Sequence, residues 1–436
     1  MSLYTQLFYS KEVDAMFSDS EAIAQMLRVE VALAEAQANK GLFSKIIAET
    51  IKACGIVSKI DIEKLKSEIA LGGNATIPLV KQLTQIVKNK EIEASKYVHL
   101  GATSQDIVDT AMVLQIQSFI LWLEIKCSQL EQQLLELTMA HRETIMVGRT
   151  LLQQAKPTTF GFKTAGWLTA ISRSKQRLQE IKRRILVVQL GGAVGNGNTN
   201  ISIEIQEELA RLLGLSPSFT WHSHRDNLAE MASILGILSG SLGKIAKDIS
   251  LLMQTEVGEV FEGAAEGKGG SSTMPHKRNP VTCAAILANT NRLPHLVATI
   301  LSAMAQEHER SAGLWHSEWE VLTEIMQLTA GSLEKSIALI EGLEVDENRM
   351  LENLELTKGL IYAENITLAL AQKTGKLAAH EWIENACKKA IQEKKHLKEV
   401  ALEMNIDVAD LDSLFDPKNA IGLSFDLIDQ VVKKFQ

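Results

Sequence analysis

The sequence is short of the residues that interrupt helices and of those that build sheets. Aromatic residues make up only 5% of the chain, and its 436 residues include only 7 prolines. Scarce proline leaves long helices unbroken, and no stretch of useful length alternates apolar and polar residues as a half-buried strand does. The expectation is an all-α protein. The four cysteines, Cys54, Cys127, Cys283 and Cys387, lie far apart with no CxxC pair. That excludes a disulfide framework and a cysteine metal site, and fits reduced, buried thiols. Basic residues are not in excess: 45 Lys and Arg stand against 53 Asp and Glu, a net charge of −8, which argues against nucleic-acid binding. No basic-then-apolar leader precedes Leu3, so a cytoplasmic location is expected. The longest uncharged run, Ile185 to Ile203, is rich in Gly and Asn and unsuited to a bilayer, so no membrane partner is expected.

What the chain does have is helical rhythm. From Ser20 to Lys40, Ile23, Leu27, Val31 and Ala34 mark an amphipathic helix ended by Gly41. Residues 60–98 read as short helices broken by Gly72-Gly73 and Pro78. Val113, Ile116, Ile120, Leu123, Cys127, Leu130, Leu134 and Leu137 then recur at spacings of 3 and 4, an a/d seam. Leu228, Met231, Leu235, Leu238, Leu242, Ile245, Ile249 and Leu252 repeat that rhythm. Trp167, Ile171, Leu178, Ile181, Ile185 and Val188 form a weaker third seam. Seams roughly 37 Å long are buried only against one another. Segments 283–305, interrupted by Pro294, and 319–342 add two more candidates. The expected architecture is an N-terminal helical domain over 1–105, a central long-helix bundle over 106–352, and a C-terminal helical domain over 353–436. So many apolar seams favour a homo-oligomer, although a monomeric bundle would also bury one seam per helix.

Between two helical segments lies a loop from Gly258 to Pro280, with glycines at 258, 263, 267, 269 and 270. Its end is chemically dense: Ser271, Ser272, His276, Lys277, Arg278 and Asn279, bracketed by Pro275 and Pro280. Composition alone fits a Gly-rich linker before a basic helix start equally well. The order, hydroxyls on a hinge followed by cations and an amide, is what an anion-gripping lid needs. Thr103 to Asp106 has capping-box spacing, and a helix N-terminus with two hydroxyls is also an anion site. His99, just upstream, reads on its own as a structural histidine. Thr150, Gln153 and Gln154 offer neutral hydrogen bonds. Arg310 is either a carboxylate clamp or a partner of neighbouring glutamates.

Gly270-Ser-Ser-Thr-Met-Pro-His-Lys-Arg-Asn-Pro280 resembles the signature loop of the fumarase/aspartase superfamily. Thr103-Ser-Gln-Asp106 and Gly148-Arg-Thr150 fall where that superfamily has its other two active-site segments, and the likeness covers essentially the whole chain. The resemblance implies a homotetramer whose active sites combine segments from three subunits. It also implies addition or elimination beside a carboxylate, with no cofactor and no metal. Ser272 would be the catalytic group that moves the proton at carbon. Lys277 and Asn279 would hold the substrate carboxylate and its enolate form, with His99 as a further catalytic residue. Thr103, Ser104, Thr150, Gln154, Ser271, Met274, His276 and Arg310 would bind the rest of a small tricarboxylate.

Two branches of the superfamily compete. The adenylosuccinate lyase branch shares His99-x-Gly-x-Thr-Ser and Met-Pro-x-Lys-Arg-Asn-Pro, but normally carries Gly-x-Thr-His where this chain has Leu151. The cycloisomerase branch of protocatechuate breakdown lacks that histidine. Its pattern resembles Gly-Arg-Thr-x-Leu-Gln, Gln306-Glu-His-Glu-Arg310 and Trp315-His-x-Glu-Trp319, although tryptophan is common where Leu151 stands. A lyase expelling an amine must protonate a poor leaving group. In lactone formation and opening the group is a carboxylate with a pKa near 4, which needs no proton at neutral pH. The expectation is therefore conversion of 3-carboxy-cis,cis-muconate to 4-carboxymuconolactone. A C–N lyase of the adenylosuccinate type and an inactive structural relative are the alternatives.

Overall fold

The computed structural model describes residues 3–264, 269, 270, 274 and 276–435. Helix dominates, as the scarcity of proline predicts. The helices used below are α1 (Asp19–Asn39), α2 (Ser104–Ala140), α3 (Phe160–Ile185), α4 (Asp226–Leu252), α5 (Val281–Ser302) and α6 (Leu314–Glu341). The Ser18 hydroxyl caps α1 by accepting from the Glu21 N–H, which satisfies one of the orphan donors of the first turn.

The seams are the core. Val113, Ile116, Ile120, Leu123, Cys127, Leu130 and Leu134 of α2 have no exposed surface, and Leu137, near the helix end, is half-buried. All eight seam residues of α4 are buried, as are all six of the third seam, along α3 and just beyond it. Helices α2 and α4 have the length and hydropathy of membrane spans, but most of each apolar window is buried within the chain. They are core helices by packing.

Contacts divide the chain into two compact units. The first comprises residues 1–127, 174–242 and 288–334, and the second 128–173, 243–287 and 335–436. Within the first, α1 packs on the helices Lys45–Cys54 and Ile203–Leu213. Their shared core includes Leu27, Leu33, Ile51, Leu83, Ile107 and Leu209. Within the second, the helices Ala363–Thr374 and Lys376–Glu393 pair, and Glu347–Leu354 packs on a β-strand.

That strand departs from the expectation of no strands. β1 (Ile145–Thr150) and β2 (Gln153–Thr159) form an antiparallel hairpin, with Thr150 paired to Gln153. Ile145, Met146 and Val147 are all buried, so they show none of the alternation that marks a one-sided strand. Proline also interrupts less than its chemistry suggests. Helix α5 runs continuously through Pro294. Pro78 sits in the first turn of Thr76–Lys90, where its missing N–H has no intrahelical partner to lose.

Candidate active site

Four of the expected site residues belong to the first unit: His99, Thr103, Ser104 and Arg310. Thr103 and Ser104 stand half-buried at the N-terminus of α2. The capping box is realised in one direction, because the Asp106 carboxylate accepts from the Thr103 N–H at 3.0 Å. The Thr103 hydroxyl accepts instead from Arg310 Nη2 at 2.8 Å, and the same nitrogen donates to the Ala193 carbonyl at 3.1 Å. Arg310 is thus held at the mouth of α2, and its buried Nε has no hydrogen-bond partner among the described residues. A guanidinium with an unpaired N–H beside a helix N-terminus suits a carboxylate.

The Asp106 carboxylate, itself fully buried, organises this end of the unit. Oδ1 accepts from the N–H of Gly191 at 3.0 Å and from Gln189 Nε2 at 3.3 Å, and pairs with His222 Nε2 at 2.8 Å. Oδ2 accepts from the N–H of Gly192 at 2.9 Å. One turn along α2, Asp109 receives both Nη atoms of the fully buried Arg225, at 2.6 and 3.1 Å. Arg225 also reaches Glu318 at 2.6 Å, and Trp315 Nε1 donates to Asp109 at 3.0 Å. Gln105 bonds Asp109 and the His222 carbonyl, and Gln306 bonds Glu318. Sequence reasoning named Asp106 as a cap and missed the rest of this network. The pairing of Arg225 with Asp109 spans 116 positions, and no local spacing signals it.

His99 adopts the left-handed backbone region, with φ 58°. Its Nδ1 lies 2.7 Å from Glu30 Oε1 on α1. Burial disfavours the charged imidazole, but the Glu30 carboxylate outweighs it with help from Asp106, and the His99 pKa is raised.

The other expected residues lie in the second unit. Thr150 ends β1 and is exposed, and Gln154 on β2 donates to the Asn353 carbonyl at 3.2 Å. Between them Leu151 and Leu152 form the turn, with φ of 49° and 64°. Positive φ at both central residues is the signature of a type I′ hairpin, which normally selects Asn or Gly. Leu151 is 97% exposed, so it presents an apolar tip. The hairpin is anchored by Arg149, whose guanidinium meets the buried Glu259 carboxylate at 2.9 and 2.6 Å. Asn353 Nδ2 completes that anchor at 2.7 Å from Glu259.

In the signature loop, Ser271 and Ser272 lie outside the described residues. Asn279 donates its N–H and its Nδ2 to the Gly269 carbonyl at 3.0 and 3.1 Å, clasping the loop's end to its middle. Arg278 is committed elsewhere: it pairs with Glu344 at 2.9 Å, bonds the Glu262 carbonyl and lies over Phe261. Lys277 is exposed and its amine has no partner among the described residues, while Met274 and His276 are exposed beside it. Of the two adjacent cations, Lys277 is the one without a partner among the described residues.

These segments and this helical scaffold define a class. The lyase family profile matches residues 8–293, and the adenylosuccinate lyase C-terminus profile matches residues 359–431. The chain belongs to the fumarase/aspartase superfamily of enzymes. It is 45% identical to the 3-carboxy-cis,cis-muconate cycloisomerase of Acinetobacter baylyi, over 99% of this chain and 98% of that protein. The protein of the same name from Pseudomonas aeruginosa is also 45% identical, over 96% of this chain and 93% of the relative. The crystal structure of 3-carboxy-cis,cis-muconate lactonizing enzyme from Pseudomonas putida superposes with a TM-score of 0.94 at 43% identity, covering 99% of this chain and 98% of that one.

Proposed function

We propose that this chain is a cytoplasmic, homotetrameric 3-carboxy-cis,cis-muconate cycloisomerase. One substrate carboxylate adds across a C=C within the same molecule to give 4-carboxymuconolactone. The observation that carries the reading is the segment Gly148-Arg149-Thr150-Leu151, in a chain so similar throughout to cycloisomerases. Where the adenylosuccinate lyase branch normally has an imidazole, this hairpin offers an alkyl side chain. As the carboxylate oxygen forms the new C–O bond, the π electrons shift toward the carbon beside a second carboxylate, giving an aci-carboxylate. The Ser272 hydroxyl then delivers a proton to that carbon and takes one back from water, so the lactone dianion carries one proton more than the substrate trianion, while the two free acids are isomers. Lys277 and Asn279 hold the carboxylate on which charge develops, the term expected to dominate catalysis. Thr103, Ser104, Thr150 and Arg310 take the remaining oxygens, with Ser271, Gln154, Met274 and His276 lining the site. No cofactor takes part.

The adenylosuccinate lyase C-terminus match over residues 359–431 keeps a C–N lyase as the second reading. One assay separates them. Purified protein should abolish the muconate chromophore and leave adenylosuccinate absorbance unchanged, and Ser272→Ala should lower kcat by at least about 10²-fold while substrate still binds. Efficient adenylosuccinate cleavage would overturn the proposal, and turnover of neither substrate would point to an inactive relative. A Ser272→Ala variant keeping a tenth of the activity would remove Ser272 from the proton-transfer role.

A further inference from the structure

We infer that Glu30 keeps His99 as an imidazolium whose Nε2–H binds a substrate carboxylate, making His99 a cationic clamp and Glu30 its positioning residue. The inference rests on the reading of the site as one for a tricarboxylate.

Glu30 sits on the buried face of α1, and its side chain is 1% exposed. Its Oε1 meets His99 Nδ1 at 2.7 Å, and its Oε2 has no partner among the described residues. Among the described residues the imidazole is therefore the single hydrogen-bond partner of a buried carboxylate. Such a carboxylate is tolerated only when its charge is compensated. A neutral ring would leave a full negative charge facing one neutral N–H, whereas an imidazolium completes the pair.

The geometry is also enforced from the backbone. Seven residues along the same face of α1, Gln37 Nε2 donates to the carbonyls of Leu100 at 2.7 Å and Asn200 at 2.9 Å. Gly101, with φ 81°, lies so close to Asn198 and Asn200 that a Cβ there would meet both at 2.8 Å. Both fixtures lie immediately after His99 and hold the chain as it leaves that residue's left-handed position. A strained backbone position held in place by its surroundings is typical of a functional position. The charged groups acting on the ring are Glu30 from α1 and Asp106 from α2, both anionic. With Nδ1–H committed to Glu30, Nε2–H is the remaining donor and has no partner among the described residues. An imidazolium stabilised in this way is a poor proton donor. Lactone formation at a carboxylate needs no such donor, so charge is what His99 contributes.

The primary test is an NMR titration of the full-length protein carrying ¹⁵N-labelled histidine, with the His99 signals assigned by their loss in His99→Gln. His99 should remain protonated through pH 7, and Glu30→Gln should lower its titration by about one pH unit or more. A neutral His99 at pH 7, or a titration unmoved by Glu30→Gln, would overturn the inference. The second test leaves Glu30 in place, so it does not depend on that variant folding. His99→Gln should raise KM for 3-carboxy-cis,cis-muconate about tenfold or more while changing kcat less, and His99→Lys should recover much of the loss. A fall in kcat of about 10²-fold or more with KM unchanged would make His99 a proton carrier and sink the clamp. If the wild type does not turn over this substrate, that failure belongs to the proposed reaction. The clamp is then judged by the NMR titration and by calorimetric binding of tricarballylate, which should weaken in His99→Gln and return in His99→Lys.

Discussion

Asp106 accepts from Thr103, Gln189, Gly191, Gly192 and His222 while its own side chain has no exposed surface. Asp106→Asn keeps the shape but turns an amide NH2 toward donors, leaving buried N–H groups unpaired. The variant should lose about 2–4 kcal/mol of stability in urea unfolding at pH 7. Activity should fall as well, because Thr103 and the 189–192 segment lose their common anchor. The sequence reveals half of this arrangement. Thr103 and Asp106 stand at capping-box spacing, and the Asp106 half of that box is present. The partnership of the Thr103 hydroxyl with Arg310 and of Asp106 with the 189–192 segment is not legible locally, because those partners are brought in by helix packing. Lys277 and Arg278 make the same point. Both read as cations of the loop, and only three-dimensional structure assigns Arg278 to Glu344.

At the level of elements, the long helices were legible apart from the break expected at Pro294, since a buried stripe at spacings of 3 and 4 leaves little else for a chain to do. The hairpin 145–159 was not. Its first strand is buried on both faces, and its turn uses two leucines where Asn or Gly would be expected. Helix α5 shows a different device, a cap supplied from a distance. The Glu262 carboxylate accepts from the N–H groups of Thr282 and Cys283 at 3.1 and 2.8 Å, at the positive end of the helix directly after the signature loop. Burial alone would push this carboxyl up, but those N–H groups and the neighbouring side chains outweigh it and hold its pKa below the ordinary value. A depressed pKa stabilises the fold above the unfolded value and stops doing so as pH falls through the folded one. Glu262→Gln should therefore cost about 1–2 kcal/mol at pH 7. The gap in urea midpoint between wild type and variant should shrink below about pH 4.

For the whole molecule, the residues expected to meet one substrate fall into two groups, one in each compact unit. Helix α2 also leaves Leu121 and Ile125 exposed, one turn apart, as a self-association face would. Subunits sharing active sites should complement one another. Mixing Ser272→Ala with a Thr103→Ala/Ser104→Ala double variant should restore measurable activity after subunit exchange, and sedimentation of the wild type should give a tetramer. A monomer, or no recovery on mixing, would rule out shared sites. The five junctions between the compact units, at 127/128, 173/174, 242/243, 287/288 and 334/335, all fall inside α2, α3, α4, α5 and α6. No loop joins one unit to the other, and each unit is assembled from three separate stretches of chain. During synthesis the first unit cannot be completed until Glu334 has left the ribosome, and about half of the second unit's sequence follows Glu334. The nascent protein must carry its apolar seams unfinished through three quarters of translation, and neither unit can be obtained by cutting the gene once.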